Sequence, residues 1–195
     1  MSERGATVDR STKETSVRVE LRLDGAGVAA ADTGLPFLDH MLQQLGTHAG
    51  FDLSVTARGD LDVDGHHTVE DVGLALGQAL REALGDKHGV RRFASITVPL
   101  DEAAVEVALD LSGRAFVVHD VHAPAETIGT YDTGLTEDFV RAFAGAAEIT
   151  LHVRLVAGRS PHHVVEAEFK AIGKALGDAV SPTGRAGTPS TKGTL

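Results

Sequence analysis

The sequence predicts an α+β fold made of two pseudo-repeated halves, each a small sheet with helices on one face. Runs that alternate apolar and polar residues, as half-buried strands do, are interspersed with segments of helical periodicity. A His-His-x-x-Glu motif begins at His66 and again at His162, roughly 96 residues later. The same order of helix, strand, turn and His-His helix surrounds each copy. We therefore expect an internal duplication, with one half over residues 1–91 and the other over residues 92–180.

The elements of the first half follow from local patterns. Alternation of apolar with charged residues predicts strands, whereas proline at a helix start and apolar residues at every fourth position predict helices. The predicted elements are a strand from Val17 to Gly25, a helix opened by Pro36 with Phe37, Met41 and Leu45 on its apolar face, a strand over 53–57, a further alternation at Leu61 and Val63, and an amphipathic helix that ends near Gly85.

The second half repeats these patterns and ends in a tail. The tail, residues 181–195, is rich in turn-forming residues and has no periodicity, so its composition alone is typical of a disordered terminus. The segment from His119 to Tyr131 is irregular, and we assign it no function. The predicted elements are strands over 95–98, 104–111 and 115–119, a helix over 136–147, a strand over 149–156 and a helix over 161–180.

The composition excludes several classes of protein. A net charge of -10 argues against a nucleic-acid partner, because phosphate backbones require clustered Lys and Arg. No apolar run approaches the roughly 20 residues that cross a membrane, and the first residues lack the apolar core of a secretory signal. The absence of cysteine excludes disulfides and thiolate metal sites. We expect a cytoplasmic globular protein, which could still bind a small phosphate through a few local cations.

The duplicated motif predicts metal binding. On a helix, residues four apart share a face, whereas neighbours diverge by about 100°. The first His and the Glu of each motif can therefore bind one ion, while the second His points elsewhere. We predict two metal ions, each held by the His and Glu of one helix and by the second His of the other motif. The residues concerned are His66, His67 and Glu70, and His162, His163 and Glu166.

The helix starts favour ligation by these histidines. Ser160 is a good N-cap, Pro161 suits the first helical position, and Asp64 caps the first motif in the same way. The histidines then lie in the first turn, where the helix dipole disfavours imidazolium, and a metal requires neutral imidazole. Imidazole and carboxylate ligands without sulfur suit Mn, Fe or Zn.

Further polar residues accompany the motifs. His40, Gln44 and His48 form a stripe along the helix opened by Pro36. His48 either lines a pocket or only completes this stripe. Lys170 follows Glu166 by four residues, which places it on the same helical face, beside the predicted metal.

Six short segments, taken in order, carry a family resemblance. They are Phe37-Leu-Asp-His-Met-Leu, Gly65-His-His-Thr-Val-Glu-Asp, Gly89-Val-Arg-Arg-Phe, Asp110-Leu-Ser-Gly-Arg, His162-His-Val-Val-Glu-Ala-Glu-Phe-Lys-Ala and Pro189-Ser-Thr-Lys-Gly. They resemble the signature blocks of imidazoleglycerol-phosphate dehydratases and span nearly the whole chain.

The resemblance implies a function, a cofactor and an assembly. Enzymes of this family remove water from imidazole glycerol phosphate to give imidazole acetol phosphate in histidine biosynthesis. They depend on manganese, with two ions in each active site, and form homo-oligomeric shells of twenty-four subunits with active sites between subunits. Each half resembles the second domain of ribosomal protein S5. The family's metal ligands correspond to His40, His66, His67, Glu70, His162, His163 and Glu166.

Asp138 stands where the family has an eighth ligand, a histidine. Carboxylate oxygen suits Mn²⁺, so Asp138 is a candidate ligand. Because its side chain is shorter and adds negative charge, either the metal shifts or one site binds weakly. This departure leaves open a degenerate metal-binding paralogue, or a shell-forming protein that has lost activity.

The resemblance also implies residues that contact the substrate. Glu14 aligns with a family glutamate and is a candidate for acid–base work, although it could equally be a solvated residue at a strand start. With Glu70 and Glu166 it makes up the candidate catalytic set. The phosphate clamp comprises Arg92, Arg114, Lys170, Ser190, Thr191 and Lys192. Because three of these residues lie in the tail, phosphate binding would order the tail, including against a neighbouring subunit. The full substrate-binding set is this clamp together with Glu14, His40, His48, His66, His67, Glu70, His162 and His163.

Two rival functions follow from the metal motif alone. A metal hydrolase is the competing enzyme class, since paired metals commonly activate water. A metal-dependent assembly protein is the non-enzymatic alternative. Metal analysis combined with a dehydration assay separates all three.

Overall fold

The structure is a computed structural model that describes residues 4–184 and 187–193. Residues 185–186 and 194–195 of the predicted tail lie outside the described residues. In chain order the elements are β1 (Gly5–Ser11), β2 (Thr15–Arg22), β3 (Ala29–Asp32), α1 (Pro36–Ala49), β4 (Asp52–Gly59), α2 (His66–Leu84), β5 (Phe93–Leu100), β6 (Ala103–Asp110), β7 (Phe116–Asp120), β8 (Thr127–Ile128), β9 (Tyr131–Asp132), α3 (Leu135–Ala147), β10 (Thr150–Ala157) and α4 (Pro161–Val180).

The two four-stranded sheets have the same topology, which confirms the α+β class and the pseudo-repeat. Their strand orders are β1-β2-β4-β3 and β5-β6-β10-β7. In each sheet the last pair is parallel and the others are antiparallel. The hairpin β8–β9 lies between β7 and α3, whereas at the corresponding place in the described first half α1 follows β3 after three residues. The exact division into residues 1–91, 92–180 and 181–195 remains a prediction.

The helices form the middle of the molecule. The strands alternate in burial, as Val17, Val19 and Leu21 of β2 show, and their apolar faces meet the helices. Each helix also contacts a helix of the other half, because α2 packs on α3 and α1 packs on α4. The core therefore lies between the two sheets, and each His-His helix lies beside a helix of the opposite half.

Small residues allow these helices to approach closely. A Cβ added to Gly173 of α4 would lie 2.5 Å from the carbonyl oxygen of Leu45 in α1. Gly177, one turn later, faces Ala49 of α1 in the same way, and Gly73 and Gly77 of α2 face the α3 backbone. The approach brings the polar stripe of α1 to the motif on α4, and so it positions the candidate site.

The structure differs from the predicted elements in a few places. The alternation at Leu61 and Val63 is wrong as a strand, because these residues lie in a turn and Val63 is 69% exposed. The short hairpin β8–β9 was not predicted, and neither were strands β1 and β3. Both lie at sheet edges, and β3 has only four residues, too few for a clear alternation. The other predicted helices and strands are present, with ends shifted by a few residues.

The described part of the tail packs against its own chain. Pro182 forms a β-bridge with Val90, and the Thr183 hydroxyl donates to the Gly89 carbonyl. The Arg92 guanidinium donates to the Pro189 carbonyl at 2.7 Å. The composition of the tail indicated disorder, but these long-range hydrogen bonds give it a defined path along residues 88–92.

None of the helices in the described part of the chain combines the length and apolar character that crossing a membrane requires.

Candidate active site

The second His-His motif builds a compact cluster at the start of α4. Ser160 is the N-cap, as predicted, and its hydroxyl accepts from the His163 backbone N–H at 3.4 Å. His162 and Glu166 then share a helical face, with His162 Nε2 2.9 Å from Glu166 Oε2. His40 of α1 reaches the same oxygen, its Nε2 at 3.2 Å. Helix geometry and the α1–α4 contact together join these three side chains.

Lys170 completes this cluster. Its Nζ lies 2.6 Å from Glu166 Oε1, so each oxygen of the carboxylate faces different donors. Burial opposes the charged form of Glu166, but hydrogen bonds from Lys170, His40 and His162 outweigh burial and lower its pKa to about 2. Glu166 is therefore a carboxylate at neutral pH, as a metal ligand must be.

The cluster fits a metal ion. One ligand atom each from His40, His162 and Glu166 lie within 4.8 Å of one another. Around an octahedral ion with bonds near 2.1 Å, neighbouring ligand atoms lie about 3 Å apart, close to the 2.9 and 3.2 Å separations from Glu166 Oε2 to the two imidazoles. Two imidazoles and a carboxylate, without sulfur, are a donor set for Mn, Fe or Zn.

The first His-His motif builds a related but looser cluster at the start of α2. His66 Nε2 lies 3.9 Å from Glu70 Oε2, and His66 Nδ1 lies 3.5 Å from Asp138 Oδ2 of α3. Asp64 accepts from the His66 backbone N–H at 2.8 Å, although the N-cap itself is Gly65. Asp138 reaches the α2 motif from α3, as His40 reaches the α4 motif from α1, but Asp138 and Glu70 face different nitrogens of His66. Among the described residues, only His40, His162 and Glu166 bring three ligand atoms together.

The second histidine of each motif lies away from these clusters within one chain. Asp60 holds His67, its Oδ2 3.0 Å from Nδ1, and Glu102 holds His163, its Oε2 2.7 Å from Nδ1. These hydrogen bonds raise the pKa of both imidazoles. We expected each second histidine to join the ion of the other motif. Among the described residues, neither His67 nor His163 is grouped with His40, His162 and Glu166, so that arrangement stays a prediction.

Glu14 lies beside His67. It occupies the turn between β1 and β2, where the Thr12 hydroxyl accepts from its backbone N–H at 3.1 Å. Its Oε2 is 4.0 Å from His67 Nδ1, and its side chain is 55% exposed. Glu14 is therefore a solvent-facing carboxylate adjacent to a motif histidine, and it lies outside both three-residue clusters.

The candidate phosphate-binding residues occupy two regions. Lys170 belongs to the Glu166 cluster. Burial and the positive charges of Lys170 and Lys174 outweigh the negative charge of Glu166 and lower the pKa of His48. Arg92 is engaged by Asp110 at 2.7 Å and by the Pro189 carbonyl, so it ties the tail to the body.

The remaining clamp residues present their side chains near this tail or at the surface. The Ser190 hydroxyl accepts from the Lys192 backbone N–H at 3.2 Å, and the side chains of Thr191 and Lys192 are exposed. Arg114 is also exposed, with Nη1 3.4 Å from the Ser112 carbonyl. These groups remain candidates for binding an anion.

Comparison with known proteins decides the family. The family model described as imidazoleglycerol-phosphate dehydratase matches residues 33–176, which include both His-His motifs. The chain belongs to the imidazoleglycerol-phosphate dehydratase family.

Relatives with this name match nearly the whole chain. The dehydratase of Acidothermus cellulolyticus is 60% identical over 98% of this chain and 93% of its own length. That of Pelotomaculum thermopropionicum is 52% identical over the full length of both chains. Such identity favours the dehydratase over a degenerate paralogue or a purely structural shell protein.

Solved dehydratases have the same fold. The Staphylococcus aureus enzyme superposes with a TM-score of 0.81 at 34% identity, covering 91% of this chain and 99% of its own. The Pyrococcus furiosus enzyme, in complex with a ligand named (S)-C348, gives a TM-score of 0.82 at 36% identity, covering 96% and 100%.

Sequence reasoning missed the carboxylates that hold the second histidines of the dehydratase motifs. Asp60 and Glu102 lie outside every motif, and no local pattern signals their contacts with His67 and His163. It also missed a buried pair, in which His119 Nε2 lies 2.8 Å from Glu168 Oε1. A histidine in a strand and a glutamate on the apolar face of α4 were the available signals, and neither reveals its partner.

Proposed function

We propose that this chain removes water from imidazole glycerol phosphate to give imidazole acetol phosphate, as a hydro-lyase of histidine biosynthesis. The observation that carries this proposal is the convergence of His40, His162 and Glu166 within 4.8 Å, in a chain of the dehydratase family. At the first motif, two further carboxylates, Glu70 and Asp138, lie beside His66. Two groups of ligands of this kind suit a substrate whose imidazole ring offers two nitrogens as ligands.

Two manganese ions are the proposed cofactor. His40, His162 and Glu166 would hold one ion, and His66, Glu70 and Asp138 would hold the other. When bound, the ions supply positive charge next to the ring nitrogens and so favour a deprotonated ring. Hydrogen bonds from Lys170, His40 and His162 keep Glu166 a charged carboxylate, which is the form that binds a metal.

His67 and His163 lie outside their own clusters and would complete the sites of neighbouring copies. This geometry supports a homo-oligomer with active sites between subunits, and the family resemblance suggests twenty-four subunits. The site of a single chain then lacks one imidazole for each ion. We place the enzyme in the cytoplasm, because its substrate and product are intermediates of amino-acid synthesis.

The remaining residues would bind and orient the substrate. Loss of water removes a hydroxyl from the carbon attached to the ring and a proton from the neighbouring carbon, and the resulting enol becomes the ketone. Glu14, a carboxylate beside His67, would carry the proton. Lys170, Arg92, Arg114, Ser190, Thr191 and Lys192 would bind the phosphate, and His48 would line the pocket next to Lys170.

A matched pair of histidine variants tests this function. His162→Ala removes a cluster ligand, whereas His122→Ala removes a histidine that is 88% exposed and belongs to neither cluster. We expect His162→Ala to lose bound metal and turnover of imidazole glycerol phosphate, and His122→Ala to keep both. Full metal content and turnover in His162→Ala would contradict the proposal.

A further inference from the structure

The second histidine of each motif is held by a carboxylate that belongs to no motif. Asp60 directs both of its oxygens at His67 Nδ1, at 3.2 and 3.0 Å. Glu102 directs Oε2 at His163 Nδ1, at 2.7 Å. In both histidines the carboxylate therefore faces the same ring nitrogen, Nδ1.

The two carboxylates come from different places in the repeated fold. Asp60 lies in the turn after β4, which leads into the His-His helix. Glu102 lies in the turn between β5 and β6, which is distant in sequence from its histidine. Glu14 occupies the turn between β1 and β2 that corresponds to the Glu102 turn, and its Oε2 is 4.0 Å from His67 Nδ1, whereas Asp60 makes the hydrogen bond to that atom. The hydrogen bond to Nδ1 thus comes from different turns in the two halves, yet a carboxylate faces the same atom of both histidines, which indicates a shared requirement for these rings.

We propose that Asp60 and Glu102 are positioning residues that fix the tautomer of His67 and His163, so that Nε2 of each ring is the metal-binding atom. A carboxylate can only accept, so it selects the ring with a proton on Nδ1. The neutral ring then carries its lone pair on Nε2, and the hydrogen bond also fixes the ring's orientation. The inference rests on the proposed function, because it assumes that these histidines bind metal.

Glu102 offers the sharper test because its two oxygens have separate tasks. Oε1 accepts from the backbone N–H groups of Ser160 at 2.7 Å and Arg159 at 3.1 Å, and Oε2 faces His163. In Glu102→Gln the carbonyl oxygen would stay with the two backbone donors. The amide NH₂ would then face His163 Nδ1 and select the tautomer with the proton on Nε2, so that Nε2 could not bind metal and the Nδ1 lone pair would be occupied by the amide.

Alanine at the same position separates the tautomer from structure. Glu102→Ala loses the hydrogen bonds to the backbone N–H groups of Arg159 and Ser160, just before α4, but leaves His163 Nδ1 free to keep its proton. If the only role of Glu102 were to support residues 159–160 before α4, the Glu102→Gln protein would bind metal more tightly than the Glu102→Ala protein. If Glu102 fixes the tautomer, Ala would bind metal better than Gln, although Ala destabilises the loop more.

The experiment measures how strongly full-length protein, loaded with Mn²⁺, retains the metal against graded concentrations of a chelator. We expect Glu102→Gln to weaken retention about 10- to 100-fold, and Glu102→Ala by a smaller factor. Asp60→Asn should also weaken retention, but less, because both Asp60 oxygens face His67 and an amide can still present its oxygen. Asp62→Asn, an exposed carboxylate of the same turn, is the control and should match the wild type.

His163→Ala distinguishes the two ways in which the idea can fail. If His163→Ala loses metal but Glu102→Gln retains it as well as Glu102→Ala or better, the positioning role is overturned. If His163→Ala retains metal at the wild-type level, His163 is no ligand, and the ligand assignment of the proposed function fails instead.

Discussion

His66 Nδ1 lies 3.5 Å from Asp138 Oδ2 across the contact between α2 and α3. The pseudo-symmetric contact between α1 and α4 joins His40 to Glu166 and His162. Two imidazoles therefore face a carboxylate at Glu166, whereas two carboxylates face one imidazole at His66, Glu70 on its Nε2 side and Asp138 on its Nδ1 side. The second set is harder and more negative, which favours an oxygen-preferring ion such as Mn²⁺ over softer metals.

Removing the Asp138 carboxylate should weaken the α2 site. We expect Asp138→Ala to lower Mn²⁺ affinity there by at least the 10- to 100-fold typical of outer-shell partners, because a direct ligand is lost. Asp138→His should retain the metal, since it restores an imidazole. Glu82→Ala, on the solvent side of α2, is the control. Equilibrium titration with Mn²⁺ measures the effect, and equal affinities in Asp138→Ala and Glu82→Ala would exclude Asp138 as a ligand.

Glu14→Gln tests the acid–base role. The amide keeps the shape of the side chain but cannot carry a proton between substrate atoms, so kcat should fall about 10²- to 10⁴-fold. Metal content should stay at the wild-type level because Glu14 lies outside both clusters. Glu20→Gln, an exposed carboxylate of β2, serves as the control. A near-wild-type rate in Glu14→Gln would show that the residue is only solvated surface.

Deletion of the residues after Gly187 tests the role of the tail. The deletion removes the Pro189 carbonyl that Arg92 holds, together with Ser190 and Lys192. A single charged hydrogen bond to a phosphate contributes about 1.5–3 kcal/mol, so KM should rise by at least roughly ten- to hundredfold. Steady-state kinetics of the truncated and full-length proteins measure the change. Unchanged kinetics would mean that the tail takes no part in substrate binding.

Gly173→Ala tests the helix contact that brings His40 to α4. An added Cβ would lie 2.5 Å from the Leu45 carbonyl oxygen, so the helices must separate, at a cost of about 1–3 kcal/mol. Gly145→Ala is the matched control, because a Cβ there meets nothing within 4 Å and alanine favours a helix by up to about 1 kcal/mol. Chemical denaturation should show a lower free energy of unfolding for the first variant only. Equal stability of the two variants would contradict the close contact.

The buried His119–Glu168 pair should make stability depend on pH. Burial lowers the pKa of His119, but the hydrogen bond and charge of Glu168, with the charge of Glu137, outweigh burial and raise the net pKa. Its stabilising contribution is then fully present below the unfolded pKa of about 6.5 and is lost as pH rises through the folded pKa.

The variant His119→Gln measures this contribution. At about pH 6 the free energy of unfolding should be larger for the wild type than for His119→Gln, and this difference should be smaller at about pH 9. Denaturation at both pH values is the measurement. A difference that does not change with pH would show that His119 keeps the same charge in both states.

Local geometry made part of the site predictable. The fixed spacing of residues on a helix places His162 and Glu166 on one face, and Ser160 with Pro161 marks the helix start. The duplicated order of elements likewise predicted two equivalent sheets. These features depend only on near neighbours in sequence, which is why a single sequence carries them.

Contacts between distant segments were not predictable in the same way. Glu102 reaches His163 from a turn that resembles any other acidic turn, and no periodicity records the contact. The order of the tail depends on Arg92 and its partners, whereas composition alone indicated disorder. Edge strand β3 is too short for an alternation to emerge. In each case the deciding interaction joins residues that only the folded chain brings together.

Conversion of imidazole glycerol phosphate by the full-length protein, stripped of metal and then titrated with Mn²⁺, tests the central claim most directly. Formation of imidazole acetol phosphate should be absent without metal and should rise to a plateau as two ions bind per active site. Equal turnover with and without metal, or a metal-filled protein that leaves the substrate unchanged, would contradict a two-metal dehydratase.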